Sequence, residues 1–385
     1  MKLLGPWAKS FPSRSWGMTQ REFLATSPTL ADFATPLLTL DAGALASNVS
    51  LMADWVASRG LEIAPHGKTT MAPQLWQQLL DAGAWGITLA TMWQVQVARS
   101  FGVSRIILAN EVVDPVALEW LSAELTDESF EFVCWVDSVE AVAAMRAGLA
   151  RAARAVDVVV ELGSAGGRTG ARGVDAALAV ASAVDAAPEL RLVGVGGYEG
   201  SYARERTPEG IAAVERYLDE IVAVHGHVAW GAKPIVTAGG SAWFDLVAER
   251  LAALVGEATV ILRSGAFQIH DDGFYRGITP VSGLRSAMHG WSRVVSTPEQ
   301  GLAILDGGKR DFPYDEGMPV TEFGVVEKLN DQHAYVTTDA LEVGQLVRLG
   351  LSHPCTAFDK WRLIPVVDDA DAATPMVVDL VSTYF

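Results

Sequence analysis

Hydrophobic and polar residues change their spacing along this chain, and the changes divide it into three regions. Residues 1–33 show no sustained period, and Pro6, Pro12, Gly17 and Pro28 interrupt any long element. They are expected to form an N-terminal extension packed on the surface. From Pro36 the pattern becomes regular: T-P-L-L-T-L-D reads as a buried strand, and 42–58 carries apolar residues at helical spacing. Strand-like runs follow at 85–89, 105–109, 130–136, 156–161, 190–195, 234–237 and 260–262, separated by alanine-rich helical stretches such as 139–153 and 176–186. Strand and helix units repeated over roughly 240 residues predict an α/β fold, a parallel (β/α)8 barrel over 34–281 with its chemistry at the carboxyl ends of the strands. A doubly wound sheet is the alternative. Past about residue 282 the helical period stops. Short β-rich runs at 291–295, 323–326, 334–337 and 346–349 predict a β domain over 282–385.

Half of the 385 residues are hydrophobic, yet no apolar run is long enough to cross a bilayer, so a soluble protein with no membrane partner is expected. Pro6, Lys9 and Ser10 stand where a secretion signal needs its apolar stretch, which makes a cytoplasmic location the expectation. A formal charge of -17 opposes the phosphates of a nucleic acid and favours a small-molecule enzyme. The two cysteines, Cys134 and Cys355, lie far apart in different expected elements and offer no disulfide framework.

The stretch A-P-H-G-K-T-T sets Lys68 beside His66 and Gly67, directly after a short run in which Leu61 and Ile63 alternate with Glu62. Pro73 then suits the first turn of a helix through Leu75 and Leu79. A lysine at a strand end is placed to hold a carbonyl cofactor as a Schiff base. Thr237, Ala238, Gly239, Gly240 and Ser241 follow an expected strand and precede a helix, so backbone N–H groups there are available to an anion. His353 and Cys355, two apart in H-P-C, read as neighbours on one face of an extended segment, and imidazole with thiolate is a good zinc pair.

P-H-G-K-T, from Pro65 to Thr69, resembles the P-H-x-K-T motif of the fold-type III pyridoxal phosphate (PLP) enzymes related to D-serine dehydratase and D-threonine aldolase. The resemblance extends roughly from Pro36 to the carboxyl end. It implies a barrel of the alanine racemase type with a C-terminal β domain, and PLP carried by Lys68 beside His66. It also implies that the turn with Thr237, Gly239, Gly240 and Ser241 binds the PLP phosphate. Arg168 in G-G-R-T-G would contact the ring oxygen, and Tyr198 in G-G-Y-E-G would lie by the pyridine ring. S-H-P-C-T resembles the family's metal element, which implies a divalent metal on His353 and Cys355, zinc first and manganese second. The aldolases more usually carry aspartate in place of the cysteine. Ala64, Thr70, Ser264 and Phe267 stand where the family often has arginine, histidine, proline and tyrosine. Those departures bear on substrate identity more than on the cofactor.

The implied activity is a PLP- and metal-dependent lyase acting on a β-hydroxy D-amino acid such as D-serine or D-threonine. Dehydration to a 2-oxo acid and ammonia comes first because of Cys355, with Lys68 taking the α-proton as base. Aldol cleavage to glycine and an aldehyde is the alternative. A racemase needs a second base that the sequence does not locate, and a non-catalytic PLP-binding protein would not need H-P-C or the β domain. A homodimer is implied by the resemblance alone.

Overall fold

A computed structural model describes residues 3–203 and 205–385. Its strands form two sheets of eight. The first strand, β1 (Leu37–Asp41), is buried along its whole length. The barrel strands follow: β2 (Glu62–Ile63), β3 (Ile87–Leu89), β4 (Arg105–Glu111), β5 (Glu131–Val136), β6 (Val156–Leu162), β7 (Leu190–Gly197), β8 (Ile235–Ala238) and β9 (Thr259–Leu262). These eight pair in parallel in the order β2-β9-β8-β7-β6-β5-β4-β3. The ends of that order meet, because Trp85 N–H donates to Ile63 O at 2.8 Å and Thr88 N–H donates to Pro65 O at 2.9 Å. The sheet therefore closes. Parallel strands covered on both sides need apolar residues on both faces, which is why runs such as V-D-V-V-V-E-L read almost continuously hydrophobic. Ala64, Ile107, Val133, Trp135, Val159 and Ile261 pack as one buried cluster in this unit.

Three of the helix starts after barrel strands carry side-chain caps. Thr91, Asp114 and Ser138 accept from the N–H groups of Gln94, Ala117 and Ala141, opening Met92–Ser100, Pro115–Glu124 and Val139–Leu149. The last of these stops at Leu149 rather than at 153.

The second sheet is built from β1, β10 (Met288–Glu299), β11 (Leu302–Leu305), β12 (Val325–Leu329), β13 (Ala334–Thr337), β14 (Leu346–Gly350), β15 (Leu363–Val367) and β16 (Val377–Ser382). Here β1 runs antiparallel to β10 and parallel to β15. The strand that the sequence places at the start of the barrel thus belongs to the other sheet. Local periodicity marks a buried strand without saying which partners bury it.

The N-terminal segment is no surface extension. Phe11, Phe23 and Phe33 pack tilted and edge-to-face with ring centroids 5.0–5.8 Å apart, and Phe23 is only 1% exposed. Leu30 N–H donates to Pro375 O and Val377 N–H to Pro28 O, tying the segment to the C-terminal strand. The compact units accordingly cut across the linear boundaries expected at 34 and 282. One comprises Met1–Met52, Thr69–Gln78 and Ala266–Phe385, and the other Ala53–Lys68 and Leu79–Gly265. No helix among the described residues is long and apolar enough to cross a membrane.

Candidate active site

Lys68 lies in a short 3-10 turn, Gly67–Thr69, just beyond β2. The backbone leading into it is pinned to the neighbouring strand, with Ala64 N–H donating to Leu262 O at 2.8 Å and His66 N–H to Arg263 O at 3.2 Å. Gly265 makes that approach possible: a Cβ there would meet His66 O at 2.5 Å.

A cavity of about 110 Å³ opens at this end of the barrel and is lined by His66, Lys68, Arg168 and Tyr198. Four of the residues singled out in the sequence therefore share one space. The Arg168 guanidinium lies 5.3 Å from the Tyr198 ring centroid, within cation–π range. Burial holds the His66 imidazole well below its usual range, and the positive charges of Lys68, Arg263 and Arg168 push the same way. His66 is neutral at physiological pH.

The turn at 237–241 is arranged differently from expectation. Thr237 is fully buried, and its hydroxyl donates to Ile261 O at 2.8 Å and accepts from Arg263 Nη1 at 2.6 Å. Gly239 adopts φ +100°, a conformation side chains resist, and its N–H donates at 3.0 Å to the Glu199 carboxylate, which also takes the Gly240 N–H. The turn does face an anion, but that anion is Glu199. Burial raises the Glu199 carboxyl, opposed by the Gly239 N–H and by Arg263. None of Thr237, Gly239, Gly240 or Ser241 lines the cavity.

Four groups that the sequence did not single out, Arg263, Glu161, Glu111 and Asp137, lie at the barrel mouth. Arg263, at the end of β9 and 3% exposed, donates from Nη2 to Gly197 O at 2.6 Å, while its buried Nε has no partner. Glu161 also lines the cavity. Its carboxylate lies with those of Glu111 and Asp137 so that one oxygen of each falls within 4.8 Å of the others. Burial, then the charges of Glu161 and Asp137, push the Glu111 carboxyl up to about 8, and burial also raises Glu161. Acidic residues at or just past strand ends were the available signal for these three.

In the other unit, H-P-C is not extended. His353 sits in the left-handed region at φ +66° and Cys355 opens the short helix Cys355–Phe358. His353 N–H donates to Asp271 Oδ2 at 2.8 Å, its Nδ1 lies 2.6 Å from Asp315 Oδ2, and Cys355 Sγ lies 3.4 Å from Thr69 Oγ1. Burial alone would lower the imidazole, but Cys355 and then Asp315 hold it up to about 9.

PLP needs an amine at a strand end and polar partners for its ring. Lys68 supplies the first, and buried His66 Nδ1 and Arg263 Nε, both without partners, are the kind of atoms a polar ring satisfies. The residues fit the group. Imidazole beside thiol likewise fits a borderline-soft divalent metal.

A closed parallel barrel with a lysine at its carboxyl end, in a chain that also carries a β unit, is the architecture of the racemase-like barrel class. The chain belongs to the family described as "Alanine racemase, N-terminal domain", which matches residues 40–247. Residues 287–367 match a serine dehydratase domain. Among characterised proteins it is similar to a D-threonine aldolase of Arthrobacter sp., 28% identical over 88% of this chain and 90% of that protein. It is 27% identical to a D-threo-3-hydroxyaspartate dehydratase of Delftia sp. (strain HT23), over 75% of each chain. Among solved structures, D-threonine aldolase from Filomicrobium marinum superposes with a TM-score of 0.81, at 24% identity over 93% of this chain and 96% of that one.

Proposed function

We propose that the protein is a PLP- and divalent-metal-dependent lyase acting on β-hydroxy D-amino acids, with dehydration to a 2-oxo acid and ammonia as the first choice of outcome. The observation that carries the reading is the convergence of Lys68, His66, Arg168 and Tyr198 on one cavity at the barrel's carboxyl end. Lys68 would hold the cofactor and then take the proton from Cα at Nζ. Arg168 would meet the ring oxygen, with Tyr198 beside it, and Arg263 Nε would face a ring acceptor. Bound there, PLP would supply an electron sink for the developing charge at Cα, and a metal on His353 and Cys355 would supply Lewis acidity. The Gly239–Gly240 turn is the proposed phosphate anchor; its N–H groups already hold a carboxylate, so phosphate would compete with Glu199 for them. Zinc is the metal we assign first, because a thiolate ligand favours it over manganese.

Aldol cleavage is the second reading, favoured by the similarity to D-threonine aldolase along most of both chains. Incubating the PLP- and zinc-loaded protein with D-threonine separates the two. Ammonia with 2-oxobutyrate supports dehydration, glycine with acetaldehyde supports cleavage, and neither pair of products refutes the lyase reading.

A further inference from the structure

The H-P-C element presents only two metal ligands, and among the described residues the one ready cluster of three potential ligands is Glu111, Asp137 and Glu161, elsewhere in the chain. A two-ligand site depends strongly on how well its ligands are aimed. The surroundings of His353 bear on that. Its backbone is fixed in the left-handed region by the N–H bond to Asp271. Its ring is fixed by Asp315, whose Oδ2 lies 2.6 Å from Nδ1. Asp315 is itself held, because its second oxygen, Oδ1, accepts the Thr356 hydroxyl at 2.5 Å. Thr356 is the residue after Cys355 in the same short helix, so one carboxylate ties the histidine to the segment that carries the thiol.

Both Asp315 oxygens are engaged by protein groups, one by the His353 ring and one by the Thr356 hydroxyl. With Nδ1 committed, the nitrogen left for a metal is Nε2, and Cys355 opens the helix whose next residue, Thr356, is tied to Asp315. We propose that Asp315, braced by Thr356, is a positioning residue that aims His353 Nε2 at a divalent cation shared with Cys355 and strengthens its binding. This rests on the reading above that His353 and Cys355 hold the metal. A carboxylate behind a ligating imidazole fixes its tautomer and orientation and makes it more basic, and loss of such a partner typically costs about 10–100-fold in metal affinity.

Zinc affinity, measured on the full PLP-loaded protein by competition with a chromophoric chelator, tests the proposal in Asp315→Ala, Asp315→Asn, Thr356→Val and Cys355→Ser. Asp315→Ala should lose about 10–100-fold and Asp315→Asn less, since the amide oxygen still accepts from Nδ1–H but carries no charge. Thr356→Val should lose a smaller factor, with the PLP absorbance and thermal midpoint of the soluble variants unchanged. If both Asp315 variants bind zinc as tightly as the wild type while Cys355→Ser does not, Asp315 has no positioning role. If Cys355→Ser also binds normally, the metal reading of H-P-C itself is wrong. Should Asp315→Ala fail to fold, the near-isosteric Asn variant carries the comparison.

Discussion

Replacing Glu111 with glutamine tests whether the barrel mouth holds a buried proton. Glu111 ends β4, with its carboxyl raised from an ordinary 4.5 to about 8 by burial and by the nearby charges of Glu161 and Asp137. Below the unfolded value both states carry the proton, and the group's contribution to stability is fully present. As pH rises from 4.5 toward 8 the unfolded chain releases the proton while the folded chain keeps it, so stability falls until the folded group also ionises. At about 1.36 kcal/mol per pH unit the whole interval amounts to at most about 5 kcal/mol. Glu161 titrates together with it and takes up part of this, leaving about 2–4 kcal/mol as the expected loss. The Gln variant cannot ionise at this position and should lose less. Urea titrations of wild type and variant, each without PLP, at about pH 5 and about pH 9 measure the difference directly. Parallel pH dependences for the two proteins would refute the buried proton at Glu111.

Other expectations follow from the same geometry. Lys68→Ala should abolish the visible absorbance of protein-bound PLP, and its retention would move the cofactor elsewhere. Gly265→Ala forces a Cβ to within 2.5 Å of the His66 carbonyl, and overpacking of this kind should cost about 1–3 kcal/mol in urea unfolding and weaken PLP binding. Phe23→Ala removes a buried ring from the N-terminal aromatic cluster and should cost about 3–5 kcal/mol in the same assay; a dispensable extension would lose almost nothing.

The sequence was most legible where a signal is local. Seven of the runs read as strands, from 85–89 to 260–262, coincide with β3 to β9 to within a few residues, because a strand buried on both faces announces itself in its own composition. Partnership is not local. β1 carries the same signal as the barrel strands, yet its neighbours are about 250 and about 325 residues away, where no periodicity reaches. H-P-C failed for another reason: spacing by two suggests a strand face, but His353 adopts a positive φ that only its bond to Asp271 and the following proline turn reveal. In the barrel mouth, motif residues were visible and their supports were not. Arg263 and Glu161 are ordinary strand-end charges until closure of the sheet carries them to Lys68's cavity.

The pairing of β1 with β10 and β15 also sets an order of events during synthesis. The first strand leaves the ribosome long before its partners exist. At roughly 5–20 residues per second, Leu37–Asp41 waits on the order of tens of seconds for Met288–Glu299 while the barrel strands emerge between them. During that wait an apolar strand with unpaired edges is exposed, the condition that invites association between chains. The barrel strands, each able to pair soon after it appears, face a shorter interval. A chain ended before β10 would keep that exposed strand indefinitely, so the separately expressed 34–281 segment is a poor substitute for the whole protein.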